Sequence, residues 1–405
     1  MTTHQFDYVI IGSGIVGLTI ARSLMLRNFG ASIAIFEKED GLGFHASGRN
    51  SGVMHSGVYY KENSLKAKFC AQGSRFLIDF CEEFDLPTNR MGKVIVPTEC
   101  DQDSQVDLLY KRGVNNGAKL QVIDAKELKE IEPEAATASG RALYLPNATV
   151  IDSVAVLKQL KCNLMEKGVK FFFSSELVSA NPDKSEFTTK ENLLVNYGKL
   201  FNTAGQHADK IAHLFRTAEQ YTLLPFKGMY FSLKQSSNIK LNGLIYPVPD
   251  LNVPFLGVHS VKKVTGEVYF GPTAVPALGR ENYYGLKGLE PIEAARIFKN
   301  LSIQYWKNSQ GFRNYAHEEA GRFLKARFAA AAKALVPKLE TQHLMNSKKV
   351  GIRAQLLNTE TKELEMDFLI HKQDNTVHVL NAVSPAFTCS IPFAEYVVND
   401  ALDKQ

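Results

Sequence analysis

The chain has few cysteines, little net charge and no long apolar run, and each shortage excludes something. Its five cysteines, Cys70, Cys81, Cys100, Cys162 and Cys389, form no CxxC pair and leave one odd. That usage rules out a disulfide framework or a structural zinc site, so no metal centre is expected, and it suits a reduced, cytoplasmic protein. Lysine and arginine number 47 against 42 acidic residues, a net charge of +5. So slight an excess admits anionic ligands but gives no ground for nucleic-acid binding. No apolar run approaches the roughly 20 residues that span a bilayer. The opening MTTHQ runs straight into a strand-like segment, so no signal peptide is expected. Repeats and low-complexity tracts are missing as well. What is present is 45% hydrophobic residues over 405 positions, enough for a large core and about two domains.

The first informative stretch is FDYVIIGSGIVG. Its apolar run Tyr8–Ile11 reads as a buried parallel strand, apolar on both faces. Val16, Ile20, Leu24 and Leu26 then recur at near-helical spacing from Ile15 to Arg27, and Asn28–Gly30 ends that helix. ASIAIFEK supplies a second strand with Glu37 and Lys38 at its tip. In such a βαβ unit Gly12 turns the chain, Gly14 lets backbone approach a pyrophosphate, and Gly17 lets helix and strand pack closely. The helix N-terminus adds partial positive charge, and Glu37 suits ribose hydroxyls.

An ordinary NAD domain would continue with another strand. Here HASGRNSGVMHSGVYY, His45–Tyr60, intervenes, followed by a helix over roughly 64–84 and a mixed region to about Asn147. IDSVAVLKQLKCNLMEKG then predicts a helix capped by Asp152 or Ser153, and VKFFF and KLFNTAG predict buried strands. Strand-like runs such as GMYFSL and GEVYFGP between about 223 and 276 predict an antiparallel sheet. A mostly helical stretch runs from about 291 to 339, and the C-terminal end reads as strand, loop and helix. The expected organisation is a discontinuous nucleotide domain of residues 1–88, 148–220 and 345–405, with a second domain of 89–147 and 221–344.

With these stretches in hand, the chain resembles the FAD-dependent D-amino-acid-oxidase/glycine-oxidase superfamily, and within it the L-2-hydroxyglutarate dehydrogenases/oxidases. The resemblance rests on His45–Tyr60 and on PFKGMYFSL, YPVPDLNVPFLGVHSVKKVTGEVYFGPTAV, KVGIRAQLLN and SPAFTCSIPFAEYV. It implies an α/β fold, a Rossmann-type FAD-binding domain joined to a mixed substrate domain on an antiparallel sheet. It also implies that the loop after Glu37 follows the FAD diphosphate toward the ring. Such a loop needs glycine for close approach and polar side chains for hydrogen bonds. The resemblance assigns Ser47, Arg49, Asn50, Ser51 and Gly52 to FAD and sets His55 near the ring. NTAGQHADKIA matches the superfamily's turn beside the flavin, through Ala204 and Gly205. In SPAFTCS, Ser384, Ala386, Phe387 and Thr388 open the last helix, whose N–H groups and dipole would stabilise negative charge on the reduced flavin.

The same resemblance places Arg353 of GIRAQ over the flavin as the clamp for a substrate carboxylate, a task suited to a planar guanidinium. His55 and His259 are both candidates to accept the hydroxyl proton as hydride leaves C2 for flavin N5. Lys227, Tyr230, Tyr246 and Thr273 are weaker candidates for a distal carboxylate. GPTAV carries Thr273 where the family pattern has asparagine. The expected activity is oxidation of a 2-hydroxy acid, L-2-hydroxyglutarate to 2-oxoglutarate, with oxygen, quinone or an electron-transfer protein as acceptor. Two other readings stay open: an amino-acid or sarcosine-type oxidase on the same scaffold, and a flavoprotein whose FAD is structural. Finally, RFLKARFAAAAKALVPKL, Arg322–Leu339, has one apolar helical face and a basic remainder. It suits either peripheral contact with an anionic membrane or, as is commoner, packing on its own domain.

Overall fold

The computed structural model describes residues 3–251, 255–308 and 311–403. Residues 252–254, within the third of the resembling stretches, lie outside them. The chain divides into two compact units. One comprises residues 1–50, 153–225 and 353–405, and the other residues 51–152 and 226–352.

The first unit is built on an eight-stranded sheet. Its centre is parallel: Thr3–Ile11 lies between Leu194–Asn202 and Ile33–Phe36, and Lys170–Phe172 and Thr376–Val379 flank these. Register sets Ile11 against both Phe36 and Asn202, so three strands end level with the glycine turn. Phe36 stacks on Phe172 with centroids 4.6 Å apart and meets Phe187 edge-on at 5.2 Å. These rings, with Val9, Leu200 and Phe215, form a core on the sheet. Helix Ile15–Arg27 starts and stops where the sequence places it, and Asn28 N–H closes it on Leu24 O at 2.8 Å. Helix Ala386–Leu402 packs against it, and Arg27 binds Asn399 and Asp403 at its end. Leu177–Asn181 and Glu186–Thr189 add an antiparallel meander beside Leu194–Asn202, and Ile370–Gln373 pairs antiparallel with Thr376–Val379.

The second unit holds a four-stranded sheet ordered Leu244–Pro247, Lys93–Val96, Arg141–Leu145 and Gln121–Asp124. Alternation splits its side chains between two cores. Val94, Val96 and Ile245 join Phe270, Phe328 and Leu335, while Ile95, Leu143, Leu244 and Tyr246 join Tyr59, Tyr230 and Tyr269. His259–Lys262 pairs antiparallel with Val268–Gly271, which pairs in turn with the long strand Tyr221–Leu233. Helix Leu65–Glu83 begins at Ser64, whose hydroxyl accepts from Ala67 N–H at 3.1 Å. The region from 291 contains helices Pro291–Lys307, Phe312–Ala320 and Lys325–Lys333.

Candidate active site

The glycine turn is where the first unit's chemistry collects. Gly12 has φ +101°, a left-handed backbone that favours glycine, and a Cβ there would lie 2.7 Å from Thr203 O. A Cβ on Gly17 would lie 2.1 Å from Gly12 O, so the helix sits on its strand with no room for a methyl group. The Ile15 N–H donates to Ser47 Oγ at 3.0 Å. The N–H groups of Val16 and Gly17 donate to no described residue, leaving donors of the first helical turn for a ligand. Glu37 accepts from Ser13 N–H and Oγ, both at 2.9 Å, and from Glu39 N–H at 3.0 Å, which fixes its carboxylate beside the turn.

The loop after Glu37 is held by side chains rather than by a sheet. Gln206 donates through Nε2 to His45 Nδ1 at 2.9 Å, so His45 presents Nε2–H to Glu39 Oε1 at 2.7 Å. Burial works against the Glu39 carboxylate, but hydrogen bonds from Lys38 and His45 outweigh it and hold the pKa below its ordinary value. Residues Ala46–Arg49 form one helical turn, which the sequence reading had as open loop. Arg49 Nε donates to Phe44 O, and Asn50 joins Ser47 O at 2.7 Å to Ser153 Oγ at 2.9 Å. Ala204 and Gly205 come after Asn202 and Thr203; Ala204 N–H donates to Asn202 Oδ1 at 3.2 Å, and Asn202 Nδ2 binds Ala208 O and the buried His378. Ser384 precedes helix Ala386–Leu402, and Ala386, Phe387 and Thr388 form its first turn.

Arg353 opens the last segment of this unit, half-buried, with Nε donating to the buried Gln355 Oε1 at 3.2 Å. Gln355 is fixed in turn by Glu365 O. The guanidinium is thus oriented by a neutral amide.

The remaining candidates belong to the second unit. Ser51 and Gly52 are tied there: Val53 N–H donates to Ser51 Oγ and Ile151 N–H to Gly52 O. His55 is half-buried, and its carbonyl accepts from the Cys70 thiol at 3.3 Å. His259 is buried and stacks on Tyr246 with centroids 4.0 Å apart. Its Nδ1 lies 2.9 Å from Gly257 O, an acceptor only, so Nδ1 carries the proton and Nε2 a lone pair. Burial, opposed by that hydrogen bond and joined by the charge of Lys93, lowers its pKa to about 4. Tyr230 lies in the same core as Tyr246, and burial raises both phenols well above their ordinary value. Lys227 and Thr273 are engaged otherwise. Lys227 Nζ donates to Asn282 Oδ1 at 3.0 Å, while the Thr273 hydroxyl donates to Lys227 O and accepts from Met229 N–H.

One group escaped the sequence reading. Lys93, in GKVIVP, is 2% exposed beside Tyr59 and Tyr246. A lysine leading directly into the apolar run Val94–Val96 was the available signal.

A glycine turn with unengaged amides, a fixed acid at the neighbouring strand tip and a second glycine-rich loop suit a long dinucleotide. The comparisons define the class. This chain belongs to the FAD dependent oxidoreductase family, whose pattern its residues 7–399 match; it is an FAD-dependent enzyme. More particularly, it is 35% identical to the L-2-hydroxyglutarate dehydrogenase of Indibacter alkaliphilus, over 99% of this chain and all of that protein. It is 31% identical to the mitochondrial L-2-hydroxyglutarate dehydrogenase of Homo sapiens, over 98% of this chain and 89% of that one. Among solved structures, FAD-bound L-alpha-glycerophosphate oxidase from Mycoplasma pneumoniae superposes with a TM-score of 0.75 at 21% identity, covering 99% and 96% of the two chains. Glycine oxidase from Geobacillus kaustophilus does so at 0.72 and 17%, with the same coverage. These last two share the fold.

Proposed function

We propose that the protein oxidises L-2-hydroxyglutarate to 2-oxoglutarate. The observation that carries this reading is the full-length identity to proteins of that name, at 30–35% from bacteria to animals. In this reading Gly12, Gly14, Gly17, Glu37, Lys38, Ser47, Arg49, Asn50, Ser51 and Gly52 hold FAD, with Ala204, Gly205, Ser384, Ala386, Phe387 and Thr388 near its ring. When bound, the flavin supplies the two-electron acceptor. Arg353 binds the C1 carboxylate through its fork and orients the substrate. His259, neutral and held by Gly257 O, takes the hydroxyl proton on Nε2; His55 is the alternative acceptor.

Anaerobic addition of L-2-hydroxyglutarate to the yellow protein is expected to bleach the oxidised-flavin absorbance within the turnover time. Persistence of the colour, with bleaching by an amino acid instead, sinks the reading. Arg353→Ala is expected to raise KM and lower kcat/KM by on the order of a hundredfold; wild-type kinetics would remove Arg353 from the site.

The electrons are proposed to leave at a membrane surface. Ile292, Phe298 and Trp306 are 88%, 66% and 76% exposed on helix Pro291–Lys307, beside Lys299 and Lys307. That pattern suits peripheral contact with an anionic bilayer and a quinone acceptor. A cytoplasmic setting fits five cysteines, none of them in a disulfide.

A further inference from the structure

The second unit buries a positive charge that its fold leaves uncompensated. Lys93 starts the strand Lys93–Val96, and alternation turns it, with Ile95, toward the core that holds Tyr59, Tyr230, Tyr246 and Tyr269. Its Nζ lies over two rings, 5.3 Å from the centroid of Tyr59 and 5.0 Å from that of Tyr246. It donates no hydrogen bond to a described residue, and no described carboxylate pairs with it. Cation–π contact with two phenol faces offsets only part of the cost of taking an ammonium out of water. Burial accordingly drags the Lys93 pKa down to about 8.

A second lysine repeats the pattern. Lys349 Nζ lies 5.2 Å from the ring of Tyr230 and 5.6 Å from that of Tyr269, with no described carboxylate in ion-pair contact, while the charges of Lys263 and Glu267 act on it with opposite sign. The Tyr59 hydroxyl is buried with no partner, and burial keeps it protonated, so it is a donor. Two cations and an orphan hydroxyl therefore converge on one tyrosine core. A core that required only packing would carry methionine or leucine at position 93 and avoid the desolvation cost.

We infer that Lys93, supported by Lys349 and the Tyr59 hydroxyl, is a carboxylate-binding site within the second unit that selects dicarboxylic over monocarboxylic substrates. This deepens the substrate reading above and rests on it for the ligand's identity: the group bound is the carboxylate that distinguishes 2-hydroxyglutarate from a simple 2-hydroxy acid. A buried ammonium discriminates strongly, because a ligand without the second carboxylate leaves the charge unpaired. The site also bears on the proton acceptor. Lys93 depresses His259, so a carboxylate that neutralises Lys93 makes His259 the stronger base.

The test titrates FAD-loaded protein with glutarate and with pentanoate by calorimetry. Wild type is expected to bind glutarate on the order of a hundredfold more tightly, and Lys93→Met to bind the two acids alike while melting no lower than wild type. Equal affinities in wild type overturn the inference. So does a Lys93→Met protein that keeps the preference, or one that melts lower and loses both acids equally, as a structural lysine would. Lys349→Met, at a less buried position, is read in parallel and serves alone if Lys93→Met does not load FAD. It is expected to reduce the preference about tenfold, and an unchanged preference counts against the site. Glutarate selectivity without turnover of L-2-hydroxyglutarate would sink the substrate reading and leave this site standing.

Discussion

At the scale of single residues, the glycine turn and His259 are governed by opposite constraints. Gly17 is set by contact: the space a methyl group needs is already filled by Gly12 O and Thr203 Oγ1. Gly17→Ala is expected to yield protein largely without flavin, measured as the 450 nm to 280 nm absorbance ratio; normal loading would show that helix and strand can separate. His259 is set by chemistry. Its Nδ1–H is committed to Gly257 O, so a proton from substrate has one place to go. His259→Gln keeps bulk but not basicity, and kcat is expected to fall by about 10²-fold or more with FAD content unchanged. A wild-type kcat would transfer the role to His55. The fingerprint glycines were legible in the sequence because their spacing across strand, turn and helix is itself a pattern, although the atoms that leave no room for a Cβ at Gly12 and Gly17 include those of Thr203, far along the chain. Lys93 was not, because its burial comes from Tyr59 and Tyr246, on other segments.

At the scale of elements, helical periodicity told where helices lie but not what they pack against. The basic segment 322–339 illustrates this. In the structure Phe328, Ala329, Ala332 and Leu335 are buried in the unit's own core, and Phe328 meets Phe231 at 4.6 Å, so most of its apolar face is covered while Leu324 stays 49% exposed. Helix Pro291–Lys307 is the reverse, burying Glu293, Ile297 and Gln304 while Ile292, Phe298 and Trp306 stay exposed. Glu293 lies inward because Arg280 and Arg296 both bind it, each at 2.7 Å. If the exposed face meets lipid, the holoprotein sediments with vesicles containing phosphatidylglycerol, and Phe298→Ser/Trp306→Ser abolishes this without lowering turnover of a soluble dye acceptor. Recovery in the supernatant at low salt would rule the contact out. Helix Leu65–Glu83 was equally readable as a helix, yet periodicity could not say which unit owns it. The reading from sequence carried the first segment to residue 88, whereas the compact unit ends at Asn50. The meander of Leu177–Asn181 and Glu186–Thr189 has little apolar alternation and was not foreseen.

At the scale of the whole molecule, two buried histidines tie stability to pH. Burial lowers His259 to about 4 and, with His371 nearby, His378 to about 3. His378 is fixed neutral, with Asn202 donating to Nδ1 and Nε2 donating to Thr376. Between the ordinary value near 6.5 and these lowered values, the unfolded chain binds protons that the folded chain does not, so acid favours unfolding. Melting temperature is expected to fall by several degrees from pH 7 to pH 5 and to be flat above pH 7 as far as these groups contribute. His378→Gln should weaken the dependence, and a melting curve indifferent to pH over that range would contradict the burial argument. The division of labour between chain and fold follows from range. A strand, a glycine turn and the helix that follows it are consecutive in the chain, so the amino-acid order specified the dinucleotide cradle, and the family resemblance added FAD as its cofactor. Which charges lose their water, and therefore which lysine seeks an anion and which histidine stays neutral, depends on segments that meet only on folding, and the tertiary structure alone decided it.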